Sequence, residues 1–237
     1  MSLEHTPRPL WLTFDCYGTL IQWDEGLLAY VQVLLERKGV GDLDPGRFIA
    51  VYDGHEHRLE QAPPYRSFRE ICELSLRLTL QELGLDYSEG DADALAASIS
   101  RMPPFPEVVE TLGWLKAQGF KLCILSNTDD SIIAGNVQQM GGHIDRVITA
   151  QQGRAYKPSA VLFTHAHQQL GVQHEQFVHI CASPHLDLTA ARDMGFRCVW
   201  VDRGTGRKLL PDYQPDAVVA NLAQVRDVFA RAGWVRN

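Results

Sequence analysis

Short apolar runs of four to six residues recur along the 237-residue chain, and amphipathic stretches separate them. The clearest runs are Leu10 to Phe14 (LWLTF), Phe120 to Leu125 (FKLCIL), Gln176 to Cys181 (QFVHIC) and Arg197 to Val201 (RCVWV). Arg146 to Thr149 (RVIT) and Ala217 to Ala220 (AVVA) are weaker members of the series. Continuous apolar runs this short suit strands buried on both faces, as in a parallel sheet. Glu107–Gln118, Ser131–Met140, Ala160–Leu170 and Leu188–Met194 carry helical periodicity, and glycines stand at 119, 141, 171 and 195 where those helices should end. The alternation predicts an α/β fold with a doubly wound parallel sheet.

One block breaks the rhythm. From Gly26 to Met102 the pattern is helical, in LLAYVQVLLERKG, RFIAVYDGHEHRLE and SFREICELSLRLTLQELG, with no convincing strand. Pro63-Pro64 interrupts the block, and Pro103, Pro104 and Pro106 close it. The expected organisation is therefore a core of residues 1–22 and 104–237 with a helical cap, residues 23–103, inserted after the first strand. Ligands of open α/β sheets bind beyond the C-terminal strand ends, where such an insertion acts as a lid.

Composition narrows the class. The chain is 45% hydrophobic and 22% charged, ordinary for a globular protein and too apolar for disorder. A net charge of −7, with no run of Lys and Arg, argues against a nucleic-acid partner. No apolar run reaches the ~18 residues of a membrane span, and MSLEHTPRPL lacks the features of a signal peptide. Five cysteines without a CxxC pair fit neither a disulfide scaffold nor a zinc finger, and point to a reduced, cytoplasmic setting.

The strand ends carry the candidate chemistry. Asp15 ends the first run, where a carboxylate before a glycine turn either faces the crevice or caps the turn. Ser126, Asn127 and Thr128 follow the second run, with groups that bind an anion or cap the next helix. Lys157 precedes Pro158, which is placed to open the following helix. Asp187 follows the fourth run, able to cap a helix near Thr189 or to pair with Lys157, and His185 is similarly ambiguous. The nine histidines show no metal-ligand spacing.

Taken together, Asp15, Ser126, Lys157 and Asp187 in this order resemble the four motifs of the haloacid dehalogenase superfamily, and the resemblance spans nearly the whole chain. It implies a Rossmann-like core and a nucleophilic Asp15. Phosphatases of that superfamily carry a second Asp two residues after the nucleophile, and here that position is Tyr17. DCYGTL, LSN at 125–127, YKP at 156–158 and VWVDR at 199–203 are instead similar to the type II 2-haloacid dehalogenases. By that resemblance Asp15 displaces the leaving group of a small 2-substituted carboxylic acid through an aspartyl ester, with (S)-2-haloacids the first expectation and neither metal nor cofactor required. Thr19, Ser126 and the backbone amides after Asp15, at Cys16 and Tyr17, would hold the substrate carboxylate. Asn127 would lie near the leaving group, Trp23 would face the pocket, and Lys157 and Asp187 would orient the nucleophile and the hydrolytic water. A homodimer through the cap is an assembly known in the family; the sequence itself does not show it.

The chain also departs from the type II pattern. Where the fourth motif commonly has an Asn, this sequence has Pro184 next to His185. The cap arginine that receives the halide aligns near Ile49, leaving Arg47 as the nearest substitute, with Arg58 and Arg66 further along. FDCYGTLIQWD, residues 14–24, also resembles dehalogenase-like proteins that open the strained ring of azetidine-2-carboxylate. That ring opening, a Mg²⁺-dependent phosphatase and a non-enzymatic binding protein are the rival expectations.

Overall fold

A computed structural model describes residues 3–235. Six parallel strands form one sheet in the order β3-β2-β1-β4-β5-β6. They are β1 (Trp11–Phe14), β2 (Lys121–Ser126), β3 (Arg146–Thr149), β4 (Phe177–Cys181), β5 (Cys198–Val201) and β6 (Ala217–Val219). Each predicted run therefore forms a strand, with ends shifted by a residue or so. β2 and β4 bury nearly every position on both faces, which is why their sequences run apolar without alternation.

The chain moves outward from β1 through β2 to β3, then crosses back to β4 and continues to β6. The order reverses between β1 and β4, and Phe14 aligns with Ile180 at the end of that pair. A crevice beyond the carboxyl ends of strands at such a switch point is where open α/β sheets bind ligands. Asp15 is the next residue, and its amide donates to the Ile180 carbonyl at 3.0 Å.

Of the five described helices between β1 and β2, the first four follow β1 directly as a helical block: α1 (Trp23–Arg37), α2 (Pro45–Gln61), α3 (Phe68–Glu82) and α4 (Glu89–Arg101). The sequence pattern had resolved three of them. α2 packs along α3, α1 touches α2 and α4, and α4 lies against α6 (Asp130–Gln138), which follows β2. That last contact is close enough to require glycine: a Cβ on Gly135 would sit 2.5 Å from the Ser100 carbonyl oxygen. Asn136 completes the join, donating to the carbonyls of Ile99 at 2.9 Å and Met102 at 3.1 Å.

The remaining helices flank the sheet: α5 (Val108–Ala117), the single turn α7 (Ala150–Gly153), α8 (Ala160–Leu170), α9 (Thr189–Met194) and α10 (Val225–Arg231). α8 begins at Ala160 behind a Ser159 cap, and Pro158 stays in the preceding turn. α9 is entered through a π-helical turn, Pro184–Leu188, in which Leu188 N reaches back to Ser183 O at 3.4 Å. No described helix is long and apolar enough to cross a membrane.

Candidate active site

The strand ends bring three of the sequence-predicted residues into one buried chain of charge. Lys157, fully buried, donates to Asp15 Oδ1 at 2.7 Å, to Asp187 Oδ1 at 2.8 Å and to the Leu125 carbonyl at 3.2 Å. Its three protons are thereby all assigned. Burial by itself would lower the Lys157 pKa, but the charges of Asp15 and Asp187 outweigh it and hold the ammonium above its ordinary range. Burial likewise raises Asp187, and the Lys157 charge together with a hydrogen bond to His179 overrides it, so that carboxyl is lowered.

His179 is a site residue that sequence reasoning missed. It sits inside β4 and bridges Asp187 Oδ1, 2.9 Å from Nε2, to the Thr13 hydroxyl, 2.8 Å from Nδ1. A single histidine within an apolar strand reads as a core residue, and nothing in QFVHIC distinguishes it. Its pairing with Thr13, one residue before Phe14, appears only once β1 and β4 are neighbours.

A cavity of about 200 Å³ opens over Asp15. Tyr17, Trp23, Ser126, Asn127, Lys157 and His185 also line it, as expected from the sequence. The Tyr17 and Trp23 rings pack 5.2 Å apart, and the Tyr17 hydroxyl donates to Asn136 Oδ1 at 3.0 Å, so the cavity meets its apolar face. His185 lies 5.4 Å from the His57 ring of α2, bringing the core loop against the inserted helices.

Four expectations are corrected. Thr19 is fully buried and does not line the cavity. Its hydroxyl donates to Asp15 Oδ2 at 2.6 Å and accepts from Ala182 N at 2.8 Å, so it orients the carboxylate and is not free for a substrate. Asp187 lies behind Lys157, with no face on the cavity, and so holds the lysine without reaching a hydrolytic water. Asn127 reaches the cavity, but its amide hydrogens go to Glu60 Oε2 and the Lys157 carbonyl, both at 3.3 Å, and its Oδ1 accepts from Lys157 N at 2.7 Å. It therefore joins the lysine loop to α2 and has no donor left for a leaving group. Arg47 is exposed on α2, whose buried row is Phe48, Tyr52 and Glu56. It does not line the cavity, and neither do Arg58 and Arg66.

What α2 presents is acidic. Asp53, Glu56 and Glu60 line the cavity with His57, at the spacing of one helical face. Burial, reinforced by Asp53, pushes the Glu56 carboxyl up to about 8. Burial and the neighbouring Glu56 raise Glu60 well above the ordinary carboxylate range. Both shifts favour the neutral acid form. The signal was present in the sequence: the apolar row Phe48, Tyr52 continues at the same spacing into a glutamate. Arg207, also missed, lines the cavity from the loop after β5, with its two Nη atoms on Asp24 at 2.9 and 2.8 Å.

One group of possible metal ligands occurs among the described residues, His179, Cys181 and Asp187. It fits a cation poorly. The Lys157 ammonium already sits on Asp187, and burial keeps the Cys181 thiol protonated by raising it well above its usual range.

A buried Asp–Lys–Asp chain at the switch point of a parallel sheet, with a helical insertion after the first strand, defines a class of hydrolase. The family model for haloacid dehalogenase-like hydrolases matches residues 11–195, and the chain belongs to that family. Among its relatives, haloacetate dehalogenase H-2 of Moraxella sp. (strain B) is 30% identical over 200 residues, covering 81% of this chain and 85% of that protein. The (S)-2-haloacid dehalogenase of Pseudomonas sp. (strain YL) is 33% identical over 171 residues, covering 71% and 73%. The fold matches L-2-haloacid dehalogenase from Xanthobacter autotrophicus with chloropropionic acid covalently bound, at a TM-score of 0.79 and 20% identity, over 94% of this chain and 98% of that one.

Proposed function

We propose that the protein hydrolyses a small 2-substituted carboxylic acid, with (S)-2-haloacids converted to 2-hydroxy acids as the leading activity. The observation that carries this reading is the Asp15 carboxylate, fixed at 2.7 Å by Lys157 and at 2.6 Å by Thr19 on the floor of the cavity. An anchored carboxylate attacks carbon without a general base, and an ester intermediate splits one hard step into two. The first step forms a bond from an Asp15 oxygen to C2 and expels the leaving group with its electron pair. Water then attacks the Asp15 carbonyl carbon, releasing the 2-hydroxy acid and restoring the carboxylate.

Ser126 and the Asp15–Gly18 turn are the groups placed to receive the substrate carboxylate, and Tyr17, Trp23 and Phe68 supply apolar walls. A volume of about 200 Å³ suits an acid of a few carbons. The inserted helices act as the cap, closing the cavity through Glu60, His57 and Phe68.

The phosphatase reading loses to the same geometry. A divalent ion bridging nucleophile and phosphoryl group needs a further oxygen ligand, and the residue available two positions on is Tyr17, whose hydroxyl is held by Asn136. The Lys157 ammonium lies on both Asp15 and Asp187. Purified protein given (S)-2-chloropropionate in excess EDTA should release chloride and lactate in equal amounts. Phosphate release from monoesters that depends on Mg²⁺, without dehalogenation, would contradict the proposal.

A further inference from the structure

The VWVDR segment begins in β5 and ends in an arginine that stands outside the cavity. The Arg203 side chain is 6% exposed, and its guanidinium fork reaches two elements at once. One Nη donates to the Thr19 carbonyl at 2.5 Å and the other to Glu107 Oε1 at 2.6 Å. Its Cζ lies 3.7 Å from the centroid of the Phe105 ring. Burial by itself would raise the Glu107 carboxyl, and the Arg203 hydrogen bond overrides it and holds that group below its ordinary range. A planar cation bonded at two points and stacked at a third keeps little freedom.

These contacts meet where the core joins the insertion. Thr19 belongs to the segment leaving Asp15, and Phe105 and Glu107 belong to the segment returning from α4. The two segments are joined without Arg203, since Phe105 N donates to Leu20 O at 2.9 Å and Gln22 N to Pro103 O at 3.0 Å. What Arg203 adds is a hold on Thr19. The Thr19 amide donates to Cys16 O at 3.3 Å, and its hydroxyl lies between Asp15 Oδ2 and Ala182 N. With amide, hydroxyl and carbonyl all bonded, Thr19 has one orientation, and so does the carboxylate oxygen that receives its proton.

Building on Asp15 as the nucleophile, we infer that Arg203 is a positioning residue for ester formation: it fixes Thr19 through the backbone, and Thr19 fixes the line along which the Asp15 carboxylate meets C2. Lys157 holds Oδ1 and Thr19 holds Oδ2, so the two anchors together set the plane of the carboxylate. Loss of Arg203 leaves the lysine anchor in place and loosens the other. The turn after Asp15 keeps its own bonds, Leu20 N and Ile21 N on Cys16 O at 2.8 and 3.0 Å, so substrate binding there is spared.

First-turnover rates of chloride release from (S)-2-chloropropionate report ester formation and test the inference in wild type, Arg203→Gln, Glu107→Gln, Thr19→Val and the double variant R203Q/T19V. A displacement of about 1 Å at a reacting group costs on the order of 10²-fold, so R203Q should lose about that factor at saturation while its half-saturating concentration stays within about twofold of wild type. E107Q, whose amide oxygen still accepts from Arg203, should keep the wild-type rate even where it is less stable. In the T19V background R203Q should cost far less than in wild type, because the hydroxyl through which Arg203 acts is gone. Arg203→Lys, which keeps the buried charge and cannot span both partners in one plane, repeats the comparison should R203Q not fold. A first-turnover rate that survives loss of the fork, an equal loss in E107Q, or an undiminished cost in the T19V background would overturn the inference and leave the proposed activity standing. Failure of wild type to release any halide would overturn the proposed activity and this inference together.

Discussion

Lys157 places a full positive charge between two carboxylates where water does not reach. Removing one partner of a buried ion set leaves uncompensated charge, at a cost of about 3–5 kcal/mol. Lys157→Met should therefore abolish turnover and lower stability by about that amount, as read from the urea midpoint at pH 7. The pH dependence supplies a sign. In the wild type Asp187 is lowered by Lys157, so its contribution is present above the unfolded carboxylate pKa and is lost as pH falls. Without the lysine, burial raises Asp187 against only the remaining His179 hydrogen bond, so stability of the variant should improve on acidification from pH 7 to 5. Lys116, on Asp145 at the surface, and exposed Lys121 should each tolerate alanine within about twofold in kcat/KM, as expected of surface positions. Equal losses at all three lysines would contradict the assignment.

Among single residues, Asp15, Lys157 and Asp187 were legible because each follows an apolar run, and the ends of parallel strands share one edge. Thr19 was placed correctly in the turn and given the wrong partner, since the sequence cannot say whether a hydroxyl faces a carboxylate or a ligand. Its proton goes to Asp15. Arg47 failed for a related reason: a helix turns 100° per residue, and one position separates it from buried Phe48.

At the scale of elements, the inserted helices are fastened to the core by caps and tight packing. α3 begins in the insertion, yet the Asp129 carboxylate, from the loop after β2, accepts from Phe68 N at 3.0 Å and Arg69 N at 2.9 Å. The core thus occupies the anion-attracting end of a helix in the insertion. Ser67 and Glu70 form a second, reciprocal capping box at the same end. Removing a capping acceptor costs about 0.5–2 kcal/mol, so Asp129→Ala should lower the unfolding free energy by that much. It should also raise KM for the acid substrate, because Phe68 lines the cavity and loses its anchor. An unchanged KM beside a lowered stability would show that the cap affects folding alone. None of this was visible in the sequence, where Asp129 is one of two adjacent aspartates after a strand. The helical character of the insertion was visible, because its apolar stripes are local. Its fourth helix was not distinguished, because Glu89–Arg101 is rich in alanine, serine and aspartate and its stripe is thin.

Across the whole molecule, the cavity joins a core that carries the nucleophile to an insertion that carries the acids. That division explains how a chain of net charge −7 can accept an anionic substrate: Glu56 and Glu60 add little charge while protonated. It has a thermodynamic consequence. A carboxyl raised in the folded state binds its proton more tightly there, so stability is highest below the unfolded pKa, about 4.3, and declines as pH climbs toward the folded value, about 8 for Glu56. Glu56→Gln removes that titration. The variant should gain stability relative to wild type as pH rises from 5 to 8, and the gap should level off above 8, as measured by thermal unfolding across that range. A constant gap would mean that Glu56 is already ionised in the native state.

The central claim is that Asp15 carries the substrate as an ester, and isotope transfer tests it most directly. With enzyme in excess over (S)-2-chloropropionate in ¹⁸O-water, the lactate of the first turnover should contain unlabelled oxygen taken from Asp15. After many turnovers, the peptide containing Asp15 should carry ¹⁸O in that side chain. Lactate labelled from the first turnover, with no label entering Asp15, would mean that water attacks C2 directly, and would contradict the account.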